Sequence, residues 1–98
     1  MADPTSSPSF FLDEAVYDYV ISHTTPVDDV QHSLMDATAK LGPVANMQIA
    51  PDQGMFLSML VSAIRPSFAV EVGTFTGYSS LAIARALPEG GRLLCCDV

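Results

Sequence analysis

The segment of residues 68–98, FAVEVGTFTGYSSLAIARALPEGGRLLCCDV, most constrains what this chain can fold into. Its first run, Phe68–Val72, is short, rich in β-forming residues and preceded by Pro66, which predicts a buried parallel strand rather than a helix. Two glycines follow, then a small-residue helical pattern that ends at Pro88, then a second apolar run, Arg92–Cys96. A strand, a helix and a strand in this order predict half of a nucleotide-binding α/β fold.

The turn between the first strand and the helix carries the candidate binding groups. Glu71 stands one residue before the end of the strand, where a buried carboxylate is costly without a partner, so we expect it at the carboxyl edge, facing a ligand. Gly73 permits a tight turn, and Gly77 permits close packing of that turn against the helix. Ser79 and Ser80 lie where the helix starts, and their hydroxyls and backbone N–H groups can hold an anion such as a carboxylate.

The distance in sequence between Gly73 and Asp97, the acid at the end of the second strand, indicates which ligand the turn binds. Asp97 follows Gly73 at close to the roughly 20-residue offset at which a nucleotide-binding crossover places its ribose-binding acid. The dinucleotide fingerprint is incomplete, because Phe75 occupies the place of the second glycine, where backbone approaches pyrophosphate. S-adenosylmethionine suits the remaining pattern, since it offers a ribose and a carboxylate but no pyrophosphate. A dinucleotide-binding oxidoreductase fragment remains the alternative.

Two stretches of the chain resemble a known enzyme family. The residues EVGTFTGYSSLAIARALPEGGRLLCCDV resemble motif I and the following strand of class I S-adenosylmethionine-dependent O-methyltransferases, in the caffeoyl-CoA and catechol O-methyltransferase-like group. The upstream stretch MQIAPDQGMFLSMLVSAIRP is similar to the loop and helix that precede the first strand in that group. The resemblance runs from about Ala45 to Val98. It implies the N-terminal part of a Rossmann-like doubly wound methyltransferase fold, incomplete in this chain.

The resemblance also implies a site for S-adenosylmethionine, formed by the loop before the first strand, the glycine turn and the end of the second strand. Its residues are Met47, Ile49, Glu71, Gly73, Phe75, Gly77, Tyr78, Ser79 and Asp97. By the family's pattern Ser79 binds the cofactor carboxylate and Asp97 the ribose hydroxyls, while Glu71 and Gly73 line the methionine end. Met47 packs on the cofactor. Ile49 falls where relatives often have threonine, so we expect only a backbone contact there.

The activity implied by the resemblance is methyl transfer to the hydroxyl of a small phenolic or catechol-type substrate. The same resemblance implies a divalent metal of the magnesium type and a homodimer. The metal ligands, the catalytic residues and most of the acceptor pocket would all lie outside residues 1–98. We therefore expect the chain to be a fragment that is inactive alone. A non-catalytic dimerisation module, paired through an apolar stripe from Val27 to Leu41, is a further alternative.

The chain divides into three predicted parts. Residues 1–8 are rich in Ser, Thr and Pro and predict a disordered tail, residues 9–67 predict a helical region, and residues 68–98 form the strand–helix–strand unit. The first helix is predicted to begin near Ser9. The second helix has Thr25 as its predicted cap, Pro26 in its first position and Gly42-Pro43 at its end. The third is predicted to run from about Pro51 to Ile64.

Composition excludes several classes of protein. A net charge of −7 argues against nucleic-acid binding, which needs a basic surface. The longest apolar stretch, Met55–Ile64, contains two serines and falls far short of the ~20 residues of a membrane span. Cys95 and Cys96 are adjacent on a predicted strand and point to opposite faces, so we expect reduced thiols and a cytoplasmic protein. The 49% hydrophobic content suggests that some apolar faces lack their partners here.

Overall fold

The structure is a computed structural model of the chain, and it describes residues 11–98. The predicted tail, residues 1–8, and the predicted helix start near Ser9 lie outside the described residues. In chain order the elements are α1 (Glu14–Ser22), α2 (Asp29–Ala39), a short 3-10 helix (Pro43–Met47), α3 (Pro51–Ile64), β1 (Phe68–Val72), α4 (Tyr78–Ala86) and β2 (Arg92–Cys96). Helices thus precede a strand–helix–strand unit, as predicted.

The two strands form a parallel pair, with Phe68 opposite Arg92 and Val72 opposite Cys96. Their bounds agree with the prediction, because Pro66 and Gly73 bracket the first β-forming run and Gly90-Gly91 precede the second. The expectation that β1 is buried is wrong for one of its faces. Val70 is 54% exposed and Val72 is 85% exposed, since among the described residues helices cover only the opposite face of this two-stranded sheet.

Helices α3 and α4 pack closely at a glycine. A Cβ on Gly54 would lie 2.9 Å from a ring carbon of Tyr78, so only glycine admits this approach without displacement of the ring. One turn further along α3, the Ser58 hydroxyl donates to the carbonyl of Ala82 at 2.7 Å. Tyr78, Ala82 and Tyr17 of α1 are the buried hydrophobic residues of this core.

Helix α2 begins later than predicted. Its cap is Asp28, not Thr25, and Pro26 lies before the helix instead of in its first position. The Asp28 carboxylate accepts the Gln31 N–H at 2.9 Å, and the Gln31 side chain accepts the Asp28 N–H at 2.9 Å. This reciprocal pair satisfies two backbone donors at the start of the helix. The prediction gave too much weight to the proline.

The packing of α2 also differs from the predicted apolar stripe. The helix ends at Ala39, and the 3-10 helix that follows was not predicted. Val30 and Leu41 of the stripe are 56% and 54% exposed, whereas the polar Thr38 is only 2% exposed. A hydroxyl therefore makes the most buried contact of this helix.

Candidate functional site

A cleft lies at the carboxyl end of β1, between the loop that precedes α3 and the turn that precedes α4. Its lining residues are Met47, Gln48, Ile49, Gly73, Thr74, Phe75, Thr76, Tyr78 and Ser79. Six of these were expected from the sequence, and Gln48, Thr74 and Thr76 were not. The three missed residues could have been found as the polar chain neighbours of the expected ones. Glu71, Gly77 and Asp97, which were expected in the site, border the cleft without lining it.

The turn over the cleft takes its shape from two glycines in left-handed conformations. Gly73 has φ +90° and donates its N–H to the Cys96 carbonyl at 2.8 Å, which ties the turn to the end of β2. Gly77 has φ +99° and caps α4. A Cβ on Gly77 would meet nothing within 4 Å, so the predicted reason for this glycine, close packing, is wrong. Its backbone conformation is what requires glycine.

Asp97 holds the middle of the turn through Phe75. Phe75 has φ +52°, an uncommon conformation for a residue with a side chain, and its N–H donates to the Asp97 carboxylate at 2.5 Å. The Val98 N–H donates to the other carboxylate oxygen at 2.7 Å. These two donors, Phe75 first, lower the pKa of Asp97 below its ordinary value. The exposed, ionised carboxylate keeps free lone pairs that can accept hydrogen bonds from ligand hydroxyls.

Glu71 faces the start of α4 and not the cleft. Its two carboxylate oxygens accept hydrogen bonds from the hydroxyls of Ser79, at 2.5 Å, and Ser80. The hydrogen bonds from these serines offset the desolvation cost of the half-buried carboxylate. The sequence analysis expected a ligand, rather than these serines, to be the partner of Glu71. Only Ser79 of the two also lines the cleft, so Glu71 can act there by fixing the orientation of that side chain.

The beginning of α4 offers hydrogen-bond donors to the cleft. No side chain caps this helix, so its first N–H groups and its positive dipole end remain available to an anion. The Thr74 hydroxyl is buried without a hydrogen-bond partner. Burial, followed by the Asp28 carboxylate, raises the pKa of Tyr78, whose ring packs against Gly54. Tyr78 is therefore neutral at physiological pH and is part of the wall of the cleft rather than a base.

The family model described as O-methyltransferase matches residues 21–98. The chain belongs to this O-methyltransferase family. Among similar proteins, caffeoyl-CoA O-methyltransferase 2 of Petunia hybrida is 38% identical over 92 residues, which cover 92% of this chain and 38% of that protein. The caffeoyl-CoA O-methyltransferase of Medicago sativa is 38% identical over 94 residues, or 92% of this chain and 37% of that protein.

Solved O-methyltransferases share the fold of this family member. The O-methyltransferase of Bacillus cereus in complex with SAH aligns with a TM-score of 0.74 and 33% identity, over 83% of this chain and 36% of that one. TomG of Streptomyces achromogenes, an O-methyltransferase of tomaymycin synthesis in complex with SAM, aligns with a TM-score of 0.71 and 32% identity, over 80% and 34%. The chain thus has the α/β methyltransferase fold and spans less than two fifths of the length of these relatives.

Away from the cleft, the described part of this O-methyltransferase family member offers neither a metal-binding cluster nor a membrane-spanning helix. Within residues 11–98, no three His, Cys, Asp or Glu side chains group closely enough to hold a metal ion. None of the helices described there is both long enough and apolar enough to cross a membrane. Cys95 and Cys96 are free thiols.

Proposed function

We propose that the whole protein transfers a methyl group from S-adenosylmethionine to a hydroxyl of a small phenolic or catechol-type acceptor. Residues 11–98 supply the cofactor side of this reaction. The observation that carries the proposal is the position of the Asp97 carboxylate, bonded to the Phe75 N–H of the turn that lines the cleft. Family membership and the SAH and SAM bound to the two similar solved structures support the choice of cofactor.

The groups around the cleft fit the polar ends of S-adenosylmethionine. The ribose hydroxyls would donate to Asp97, whose exposed oxygens retain lone pairs. The cofactor carboxylate would accept from the uncapped N–H groups of α4 and from Ser79, which Glu71 orients. Met47, 64% exposed at the cleft, offers a flexible apolar surface, and Ile49 offers its backbone.

The bound cofactor supplies a methyl group that is carried on a positively charged sulfur. The acceptor oxygen would attack this methyl group in line, and the sulfur would leave as a neutral thioether. The residues described here hold and align that donor, and proper alignment supplies much of the rate of such a displacement. The acceptor's proton leaves to a base outside the described residues. Those residues do not fit a metal site, and a divalent metal stays a prediction for the rest of the protein.

Calorimetric titration of the whole protein with S-adenosylhomocysteine and, separately, with NAD tests the cofactor. We expect S-adenosylhomocysteine to bind and NAD not to bind, because Phe75 puts a side chain where pyrophosphate needs backbone. Tighter binding of NAD would favour the oxidoreductase alternative. No binding of either ligand would favour the non-catalytic module.

Asp97→Ala in the whole protein tests the site itself. We expect a loss of affinity for S-adenosylhomocysteine of at least about ten-fold, because the ribose hydroxyls lose their acceptor and the Phe75 N–H of the turn loses its hydrogen-bond partner. Asp36→Ala, which removes an exposed acid from α2, is the matched control and should bind normally. Equal affinities of the two variants would count against the assigned cofactor site.

The whole protein is proposed to be a cytoplasmic homodimer. Free thiols support the compartment, and a row of exposed apolar residues on α3, formed by Phe56, Met59, Leu60 and Ile64, supports an association surface. Light scattering on the purified whole protein measures the oligomeric state directly. A monomeric mass at micromolar concentration would contradict the dimer and leave the cofactor assignment untouched.

A further inference from the structure

The buried hydroxyl of Thr38 lies at the junction of three segments of the chain. Its oxygen is 2.8 Å from the Leu34 carbonyl oxygen within α2, 2.8 Å from the Thr76 hydroxyl and 3.2 Å from the Gln48 amide nitrogen. A hydroxyl has one proton and two lone pairs. If its proton goes to Leu34, the other two groups donate to it, and the three contacts use the full capacity of Thr38.

The two distant partners of Thr38 come from the two sides of the cleft. Gln48 belongs to the loop before α3, and Thr76 belongs to the glycine turn before α4. Among residues 11–98, no hydrogen bond joins the lining segments Met47–Ile49 and Gly73–Ser79 directly. The Thr38 hydroxyl therefore joins the two segments by hydrogen bonds, in addition to the packing of α3 on α4.

Helix α2 contacts α4 at its first end and the cleft segments at its other end. At the first end, Asp28 and Arg85 form an exposed ion pair at 2.6 Å. Its other end is held by Thr38, which is 2% exposed and so makes its hydrogen bonds away from competing water. Thr38 is almost completely buried and does not line the cleft, so we expect it to act on a ligand through Gln48 and Thr76.

We propose that Thr38 is a positioning residue that sets the distance between the two sides of the cofactor cleft. This inference rests on the proposed function, because it concerns the same cleft. Without the hydroxyl, the Gln48 amide and the Thr76 hydroxyl each lose a buried partner, and the hydrogen bonds that set the spacing of the two segments are lost. The affinity for the cofactor falls as a result, while the acceptor side of the enzyme is unaffected.

The test compares Thr38→Val, which keeps the shape and removes the hydroxyl, with Thr38→Ser, which keeps the hydroxyl. In the whole protein we expect Thr38→Val to raise the Kd for S-adenosylhomocysteine about ten-fold, and the KM for S-adenosylmethionine similarly, with the KM for the acceptor unchanged. Thr38→Ser should restore binding. The control is Thr24→Val, which removes a half-buried hydroxyl that follows α1 and donates to the Val20 carbonyl of that helix at 2.6 Å. It should leave the Kd unchanged.

A double variant separates positioning from a merely structural role. If Thr38 acts through Thr76, then Thr38→Val and Thr76→Val together should weaken binding no more than the stronger single change. A Thr38→Val protein that melts earlier but binds normally would overturn the inference, as would multiplicative losses in the double variant. If Thr38→Val does not fold, normal binding by Thr76→Val overturns the inference and weak binding rescued by Thr76→Ser supports it. Failure of the wild-type protein to bind S-adenosylhomocysteine would instead remove the proposed function.

Discussion

At the scale of single residues, the Glu71 carboxylate is the group whose position most changes the chemistry expected of the site. It accepts hydroxyl hydrogen bonds from Ser79 and Ser80, neighbours on the first turn of α4. Each serine donates one hydrogen bond to Glu71, but of the two only Ser79 lines the cleft. This makes them a matched pair for experiment.

Ser79→Ala should weaken binding of S-adenosylhomocysteine to the whole protein by about ten-fold, whereas Ser80→Ala should change it by no more than about two-fold. Each substitution removes one hydrogen bond to Glu71, but only the first removes a hydroxyl from the cleft. Isothermal titration of both variants measures the difference. Equal losses would mean that the serines act solely by holding Glu71, and the direct contact of Ser79 would be wrong.

The protonation of Asp97 gives a prediction for pH. Hydrogen bonds from the N–H groups of Phe75 and Val98 lower its pKa in the folded protein. Because this pKa is lowered, the hydrogen bonds that the ionised Asp97 carboxylate accepts are fully present above the ordinary pKa of about 3.9. They are lost only as the pH falls through the lower pKa of Asp97 in the folded protein. Asp97 therefore stays ionised between pH 5 and 8, and its protonation should make no contribution to the pH dependence of S-adenosylhomocysteine affinity in that range. A loss of affinity in that window that disappears in Asp97→Asn would contradict this expectation.

At the scale of secondary-structure elements, the contact between α3 and α4 depends on the absence of a side chain at Gly54. Helix propensity alone favours alanine at an interior helix position by about 1 kcal/mol. Against this, a Cβ at Gly54 lies 2.9 Å from the Tyr78 ring, which is itself 3% exposed and has little room to move. The two effects have opposite signs, and overpacking is the larger.

Gly54→Ala should therefore destabilise the whole protein by about 1–3 kcal/mol, as measured by chemical denaturation. The control is Ala63→Gly, an exposed substitution on the same helix that should cost about 1 kcal/mol through propensity alone. If Gly54→Ala stabilised the protein, the Tyr78 ring must be able to move away from the added methyl group. The close approach of the two helices would then not depend on glycine.

The start of α2 gives a second prediction for an element. Asp28 accepts the Gln31 N–H and also pairs with Arg85 of α4. Asp28→Asn keeps a capping oxygen but loses the charge, and Asp28→Ala loses both. Because exposed ion pairs contribute little, we expect Asp28→Ala to lower the melting temperature clearly, by ~3 °C, and Asp28→Asn to lower it much less. If both variants lowered the melting temperature by a similar amount, the stabilisation would come from the ion pair rather than from the cap.

At the scale of the whole molecule, one face of the parallel sheet lacks a cover among residues 11–98. Phe68, Val70, Val72 and Leu94 are each more than half exposed. A patch of this kind is unusual on an isolated soluble domain and is normal for a sheet that other elements cover. The relatives are more than twice as long as the stretch they share with this chain, which is consistent with further elements on this face.

A polypeptide limited to residues 1–98 should bind a hydrophobic dye such as ANS and self-associate, because this face remains open. The whole protein should do neither. Val72→Lys, placed at the 85% exposed position, should reduce dye binding by the short polypeptide. A monomeric short polypeptide that binds no dye and melts cooperatively would show that residues 1–98 bury their apolar surface without help.

The sequence alone determined the features that depend on local backbone chemistry. Proline, glycine and periodicity gave the bounds of α3, β1 and β2, and the offset of Asp97 from Gly73 placed an acid beside the turn. Tertiary structure decided which groups meet. The serine partners of Glu71 and the exposure of Val72 depend on surfaces that the chain brings together only on folding. Thr38 illustrates the limit: its apolar neighbours predicted a hydrophobic contact, and its hydroxyl makes the link because segments far apart in sequence present polar groups to it.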